Sequence, residues 1–222
     1  MPFWLCAIAD GLGGHQDGAI ASSMATEVLA NKINNAAKTM MKTGDLGAVK
    51  EESILEILSD SAKKANKEIF AHRKNDMGTT LVAAILLADV VYIANVGDSR
   101  AYLFNGVVLR RITADHSLVA ELVRSGDIME DDLYTHPLRN IVTRSLGAQE
   151  DVQVDTYREV VTPGDYLILC SDGLWEMVKD TEIRDTIAGK APPQDSCEKL
   201  VQVAKNHGGV DNISVIVAKA II

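Results

Sequence analysis

Cysteine is scarce in this chain, and what there is does not pair up. Cys6, Cys170 and Cys197 are an odd number and stand in no CxxC or Cys/His spacing, so neither a disulfide framework nor a zinc site is indicated, and they read as reduced, buried and inert. Proline is also sparse, with five in 222 residues. No linker, low-complexity tract or internal repeat interrupts the apolar segments, so a single domain over 1–222 is expected. A long apolar run is missing as well. The opening "MPFWLCAIA" has no basic start and stops at Asp10, too early for a signal peptide or membrane span, which implies no membrane association and a cytoplasmic location. Positive charge is the last shortage: 22 Lys and Arg face 31 Asp and Glu, and a net charge of -9 repels nucleic acid and anionic lipid while it suits cations.

What is present is enough apolar material, 47% of residues, to bury a full core. Residues 3–9 read as a buried strand. Ile20, Met24, Val28 and Ile33 then mark a helix over about 18–41, ended by "TGDLG". A second helix is expected from Ser53, where Ser53 and Glu56 make a capping-box pattern and Ile54, Ile57, Leu58, Ala62, Ala65 and Ile69 lay an apolar stripe. "TTLVAAILLADVVYIANVGD" follows as two strands with a turn near Ala88 and Asp89. In "RAYLFNGVVLRRI", Asn105 and Gly106 suit the two central positions of a type I′ hairpin. Residues 117–125 suit a short helix, and "SGDIMEDDLYTHPLRN" reads as an irregular, mobile excursion. "VQVDTYREVV" and "DYLILCS" are strands joined by the turn "TPGD"; short helices, a longer one over about 195–206 and a closing strand "ISVIVAKAII" complete the chain. Hairpin connections predict largely antiparallel sheets with helices on their outer faces, an α+β fold.

Four aspartates sit at the ends of these strands. Asp10, Asp98 and Asp172 follow apolar runs, and Asp211 precedes one, so an antiparallel last strand would bring all four to one sheet edge. Asp-Gly and Asp-Asn pairs also make ordinary turns, which explains any one of them. Four together are harder to explain that way: two carboxylates about 4 Å apart repel by roughly 4 kcal/mol at an effective dielectric near 20, unless a cation lies between them. An oxygen-only donor set favours Mg²⁺ or Mn²⁺ over zinc. The glycine run "GLGGHQDG" has neither the Gly-Lys-Ser/Thr of a P-loop nor the third glycine of a dinucleotide fingerprint. What remains is a tight turn whose Gly11 carbonyl is free of side-chain obstruction.

"ADGLGGH", "MGTT", "ANVGDSRAY", "TADHS", "HPLRNIVTRSLG", "LCSDGLWE" and "GGVDNISVIV", in that order, resemble the metal-dependent protein phosphatases of the PPM or PP2C family, in particular the small bacterial serine/threonine phosphatases. The resemblance spans nearly the whole chain. It implies an αββα sandwich of two mainly antiparallel sheets with helices outside, and a flap segment over about 117–140. It also implies hydrolysis of phosphoserine and phosphothreonine in proteins by a metal-activated water, with no residue acting as a covalent nucleophile. By the same resemblance Asp10 bridges two Mn²⁺ or Mg²⁺ ions, the Gly11 carbonyl binds one of them, Asp172 and Asp211 complete the site, and Asp98 with Asp172 holds a third, weaker ion. Arg139 and Arg144, in or just after the flap, are the candidates for touching a phosphopeptide, while Arg100 is expected to pair with carboxylates near its own strand. The implied partners are phosphorylated proteins, substrates of a serine/threonine kinase.

The pattern departs from the family at its start. Met1 lies nine residues before Asp10, so the upstream strand that carries a phosphate-gripping arginine and an acidic residue is absent from the sequence. The omission leaves two readings: a start placed too late, or a segment shed with weaker catalysis or none. The alternatives are accordingly a silent PP2C-like domain kept for binding or regulation, or a sporulation- or stress-type phosphatase with one dedicated phosphoserine partner. At Leu12 the bacterial pattern is kept. Trp4 and Trp175 read as core packing.

Overall fold

The structure, a computed structural model, describes residues 3–13, 15–43, 51–72, 77–189 and 191–221. In chain order the elements are β1 (Phe3–Ile8), β2 (Gly11–Leu12), α1 (His15–Thr43), α2 (Glu51–His72), β3 (Gly78–Thr79), β4 (Leu81–Leu87), β5 (Val90–Val96), β6 (Arg100–Phe104), β7 (Leu109–Arg111), α3 (Leu118–Ser125), a 3-10 turn (Glu130–Tyr134), β8 (Asp155–Val160), β9 (Tyr166–Cys170), α4 (Asp172–Trp175), α5 (Asp180–Ala188), α6 (Pro193–Asn206) and β10 (Val215–Lys219). They fall into two compact units, Met1–Val96 with Ser145–Val161, and Gly97–Arg144 with Thr162–Ile222. The "TGDLG" helix stop lies mostly outside the described residues.

The first unit carries an antiparallel sheet in the order β1-β4-β5-β8, with Phe3 opposite Leu87 and Ile8 opposite Val82. Period-2 alternation sends Leu81, Ala83 and Ile85 of β4 and Val90, Tyr92, Ala94 and Val96 of β5 into one cluster with both long helices. Helix α2 presents the expected stripe, with Ile54, Leu58, Ala62, Ala65 and Ile69 buried, each larger side chain stabilising by roughly 1.5–3 kcal/mol. Ser53 lies inside this helix, two residues past Glu51, so it is not the predicted cap. On α1 Ile33 is buried as predicted, and the rest of the buried face is Ala21, Ala25 and Leu29, one residue round from Ile20, Met24 and Val28; Met24 and Val28 pack partly buried against the same core, and Ile20 is half exposed. The small Ala21 and Ala25 lie at the centre of the face turned to the core and Met24 and Val28 on its flank, so the stripe is centred one residue round from the larger side chains. Asn66 of α2 donates to the carbonyls of Gln149 and Glu150 and accepts from the Gly147 amide, which pins the 145–154 segment to the helix.

The second unit carries an antiparallel sheet in the order β10-β9-β6-β7. Its core joins Tyr102, Phe104, Tyr166 and Ile168 to Leu174 and Trp175 of α4, Ile183 and Ile187 of α5, and Leu200 and Ala204 of α6. Strands β8 and β9 are not a hairpin, although "TPGD" does turn, with the Asp165 amide bonded to the Thr162 carbonyl at 3.0 Å. The chain leaves the first sheet after Val161 and enters the second at Tyr166, as it also does between β5 and β6. The Asn105–Gly106 hairpin is a four-residue loop and not a type I′ turn. The Asn105 side chain accepts from the amides of Val107 and Val108, and Gly106 alone in the loop has a positive φ, 87°. The side chain thus supplies the bonds that a tighter backbone turn would have made.

The helix expected over 117–125 is present as α3, and the excursion expected over 125–140 is more regular than predicted, with a 3-10 turn at Glu130–Tyr134. Ser117 caps α3 by accepting from the Ala120 amide at 3.3 Å, and Gly126, with φ 83°, closes it. Leu133 of the 3-10 turn is buried against Val119 and Ala120, so the segment has a small core of its own. Trp4 is 72% exposed on edge strand β1, contrary to the core reading, because the edge position leaves its face uncovered. All three cysteines are free; Cys170 is buried as predicted, while Cys6 and Cys197 are only partly so.

Candidate metal centre

Antiparallel pairing of β9 with both neighbours aligns Val215, Cys170 and Arg100 across three strands. Asp172 lies two residues beyond Cys170, Asp98 two before Arg100, and Asp211 four before Val215. All three aspartates therefore come to the same edge of the second sheet. Asp10 and Gly11 follow β1 of the first sheet and lie outside this register.

The short helix α4 links the three loops. A Cβ on Gly173 would stand 2.1 Å from the Asn212 carbonyl oxygen, so glycine is what lets the Asp172 turn press onto the Asp211–Asn212 turn. One turn along, Trp175 Nε1 donates to the Asp98 carbonyl at 2.9 Å. Beneath the indole lies the buried Arg100 guanidinium, 3.6 Å from the ring centroid. Arg100 also bonds both carboxylate oxygens of Asp115, the shortest at 2.6 Å, and the Tyr102 hydroxyl at 3.1 Å. It is thus a structural cation and not a phosphate clamp, as its position in the strand led us to expect.

Asp98 is 3% exposed. Burial first, and then the charges of Asp172 and Asp115, push its carboxyl up to about 7. A nearby positive charge is what would keep it ionised at neutral pH. His116 holds the same loop from the other side, accepting the Gly97 amide at Nδ1 and donating its own amide to the Gly97 carbonyl, both at 3.0 Å. Arg144 Nη1 lies 3.0 Å from His116 Nε2, which places that arginine against the loop-gripping histidine.

Sequence reasoning missed Glu176. Its amide closes the turn begun at the Asp172 carbonyl, and its carboxylate pairs with Arg139 at 3.4 Å. Burial, then Asp172, raise its pKa, and Arg139 opposes them. The signal in the sequence was its spacing, four residues after Asp172, within one helical turn.

In the first unit, Asp10 is fixed by its backbone. Thr80 donates its amide to the Asp10 carbonyl at 2.8 Å and accepts the Asp10 amide at Oγ1, and Thr79 Oγ1 donates to the same carbonyl. This is the structural use of "MGTT". Gly11 is pressed against α1, where an added Cβ would lie 2.2 Å from the Gly18 carbonyl oxygen, so the glycine run also serves helix packing.

Among the described residues no three Asp, Glu, His or Cys side chains stand at ligand spacing around one point. Like charges repel, and Asp172 and Asp211 each turn a carboxylate oxygen onto the following amide, Gly173 and Asn212, at 2.7 Å. These are the turn bonds of the plainer reading. The donor set is nevertheless all oxygen and includes the buried Asp98, which fits a hard divalent cation.

The profile described as "Protein phosphatase 2C" matches residues 2–209. The chain is 41% identical over 217 residues to the serine/threonine phosphatase stp of Listeria monocytogenes serotype 4b (strain F2365), covering 96% of this chain and 82% of that protein. The chain belongs to the protein phosphatase 2C family. The family is metal-dependent, and membership makes this chain an enzyme, a protein serine/threonine phosphatase. Among solved family structures, serine/threonine phosphatase Stp1 from Staphylococcus aureus superposes with a TM-score of 0.85 at 34% identity, over 97% of this chain and 83% of that one. The catalytic domain of the serine threonine protein phosphatase PstP, solved in complex with two manganese ions, matches with a TM-score of 0.82 at 28% identity, over 98% of this chain and 88% of that one. Both have the mixed α/β architecture with antiparallel sheets described above.

Proposed function

We propose that this phosphatase removes phosphate from phosphoserine and phosphothreonine in proteins with Mn²⁺ or Mg²⁺, two ions and a third more weakly held. Asp10, the Gly11 carbonyl, Asp98, Asp172 and Asp211 are the proposed ligands, and Arg139 and Arg144 the residues that meet the phosphoprotein. The gathering of Asp98, Asp172 and Asp211 at one sheet edge, joined through α4, carries this reading. Divalent ions bound there would supply Lewis acidity, lowering the pKa of a water and neutralising phosphoryl oxygens. The chain's own part is to hold the carboxylates in place. Trp175 and His116 fix the Asp98 loop, Gly173 sets the Asp172 turn against Asp211, and Thr79 with Thr80 hold Asp10. No cysteine competes as a nucleophile, since burial pushes the Cys170 thiol up to about 12 and raises the other two.

The proposed substrates are products of a serine/threonine kinase, and the proposed location is cytoplasmic. Among the described residues no helix is long and apolar enough to cross a membrane. Purified protein should hydrolyse an aryl phosphate with Mn²⁺, lose that activity to a chelator, and lose it in Asp172→Asn. Equal rates for wild type and the variant would leave a binding role instead.

A further inference from the structure

The segment 117–140 is attached to α4 at two points. Tyr134 meets the Trp175 ring edge-on, with centroids 6.5 Å apart. Five residues further on, Arg139 Nε donates to Glu176 Oε2 at 3.4 Å. Glu176 ends the turn that Asp172 begins, so the second attachment falls one helical turn from a proposed metal ligand.

Three features of that pair point the same way. The contact uses Nε, which leaves the two terminal nitrogens of the guanidinium, its bidentate fork, outside the pair. Glu176 is the more enclosed partner, with a side chain 12% exposed against 32% for Arg139, so the carboxylate is the fixed member and the arginine presents its outer half to solvent. Glu176 also lies within the electrostatic reach of both Asp172 and Asp211, so the arginine it holds is stationed beside the acidic edge. A long arginine side chain loses rotamer freedom when it meets a phosphate, and a carboxylate that holds Nε beforehand reduces that loss.

We propose that Glu176 is a positioning residue for substrate recognition: it holds Arg139 beside the acidic edge with its guanidinium fork free to engage the phosphoryl group of a phosphoprotein. This rests on the phosphatase reading above. Glu176 neither touches substrate nor ligates metal; it acts through Arg139. Its effect therefore belongs to KM.

The test uses the full chain with Mn²⁺ and a synthetic phosphothreonine peptide. Glu176→Ala should raise KM about five- to tenfold, equivalent to about 1–1.4 kcal/mol, with kcat within about twofold of wild type. Glu176→Gln, which keeps an acceptor at the same reach, should recover most of the loss. In an Arg139→Ala background, Glu176→Ala should add nothing further, because the residue through which it acts is gone. The Mn²⁺ concentration giving half-maximal activity should not move. An unchanged KM in Glu176→Ala, effects that multiply in the double variant, or a shift in Mn²⁺ requirement with a fall in kcat would each overturn the proposal, the last by showing that Glu176 supports the Asp172 turn itself. A wild-type protein without Mn²⁺-dependent hydrolysis would be a different failure, that of the underlying phosphatase reading.

Discussion

Trp175 donates its indole N–H to the carbonyl of Asp98 across 77 positions of sequence, and the bond is buried at both ends. Through it the helix that begins at Asp172 is tied to the loop carrying the most buried aspartate of the edge. Arg100 packs under the same ring, so the indole bonds at its edge and stacks on its face.

Trp175→Phe keeps an aromatic face for Arg100 and removes the N–H. The Asp98 carbonyl is then left short of a partner, at a cost of about 1–3 kcal/mol. For a chain of this size that corresponds to a fall in melting temperature of roughly 2–4 °C per kcal/mol. Thermal unfolding checks it, and the Mn²⁺ requirement should rise as the Asp98 loop loosens.

Asp115→Asn should be more costly than any surface charge change. It leaves the Arg100 guanidinium, fully buried, without its main counter-charge, and breaking one side of a buried pair costs about 3–5 kcal/mol. Arg100→Leu with Asp115→Leu together should be milder than either alone, because no unpaired charge is left inside. Urea unfolding of the four variants, Asp115→Asn, the two single leucine changes and their combination, measures this directly.

Gly173→Ala should reduce activity well before it reduces secondary structure. The new methyl must displace the Asn212 carbonyl, a backbone atom, and so separates the Asp172 and Asp211 turns. Gly106→Ala is the control. Its Cβ meets nothing within 4 Å, so the expected cost is the strain of a positive φ alone, about 1 kcal/mol, with phosphatase activity retained.

Stability in chelator should fall as pH rises from about 4 to about 7. The sign follows from the raised Asp98 pKa: the folded carboxyl, near 7, keeps its proton where the unfolded one, near 3.9, has lost it, so folding takes up a proton in that window. Between pH 5 and pH 8 the Asp98 contribution amounts to roughly 2–3 kcal/mol. Asp98→Asn should remove that part of the slope, and Mn²⁺ should offset it in the wild type. Urea midpoints at the two pH values, with and without metal, decide the matter.

Local features were legible in the chain, though not uniformly. Ser117 and Gly126 bracket α3 because a cap and a left-handed glycine act within one turn, and the α2 stripe could be counted from Ile54 to Ile69. The α1 face could not be read so directly. Hydrophobicity favours Ile20 and Met24, whereas the structure buries Ala21 and Ala25, because closeness of packing depends on the neighbours across the interface. The capping box at Ser53 and the type I′ turn at Asn105 were plausible short patterns. Helix extension past Ser53 and a side chain bonding two amides prevailed over them.

The order of apolar runs, their antiparallel connections and the placing of aspartates at strand ends were set by the sequence alone, since each follows from alternation, turn chemistry and charge over a few neighbouring residues. Only the tertiary structure decided which strands share a sheet, that the chain changes sheets after β5 and after β8, and that Arg139 meets Glu176 from 37 positions away. Those outcomes depend on pairing register, burial and close backbone approach between distant segments. Such free energies arise only once both partners are in place, and no short window of sequence contains them.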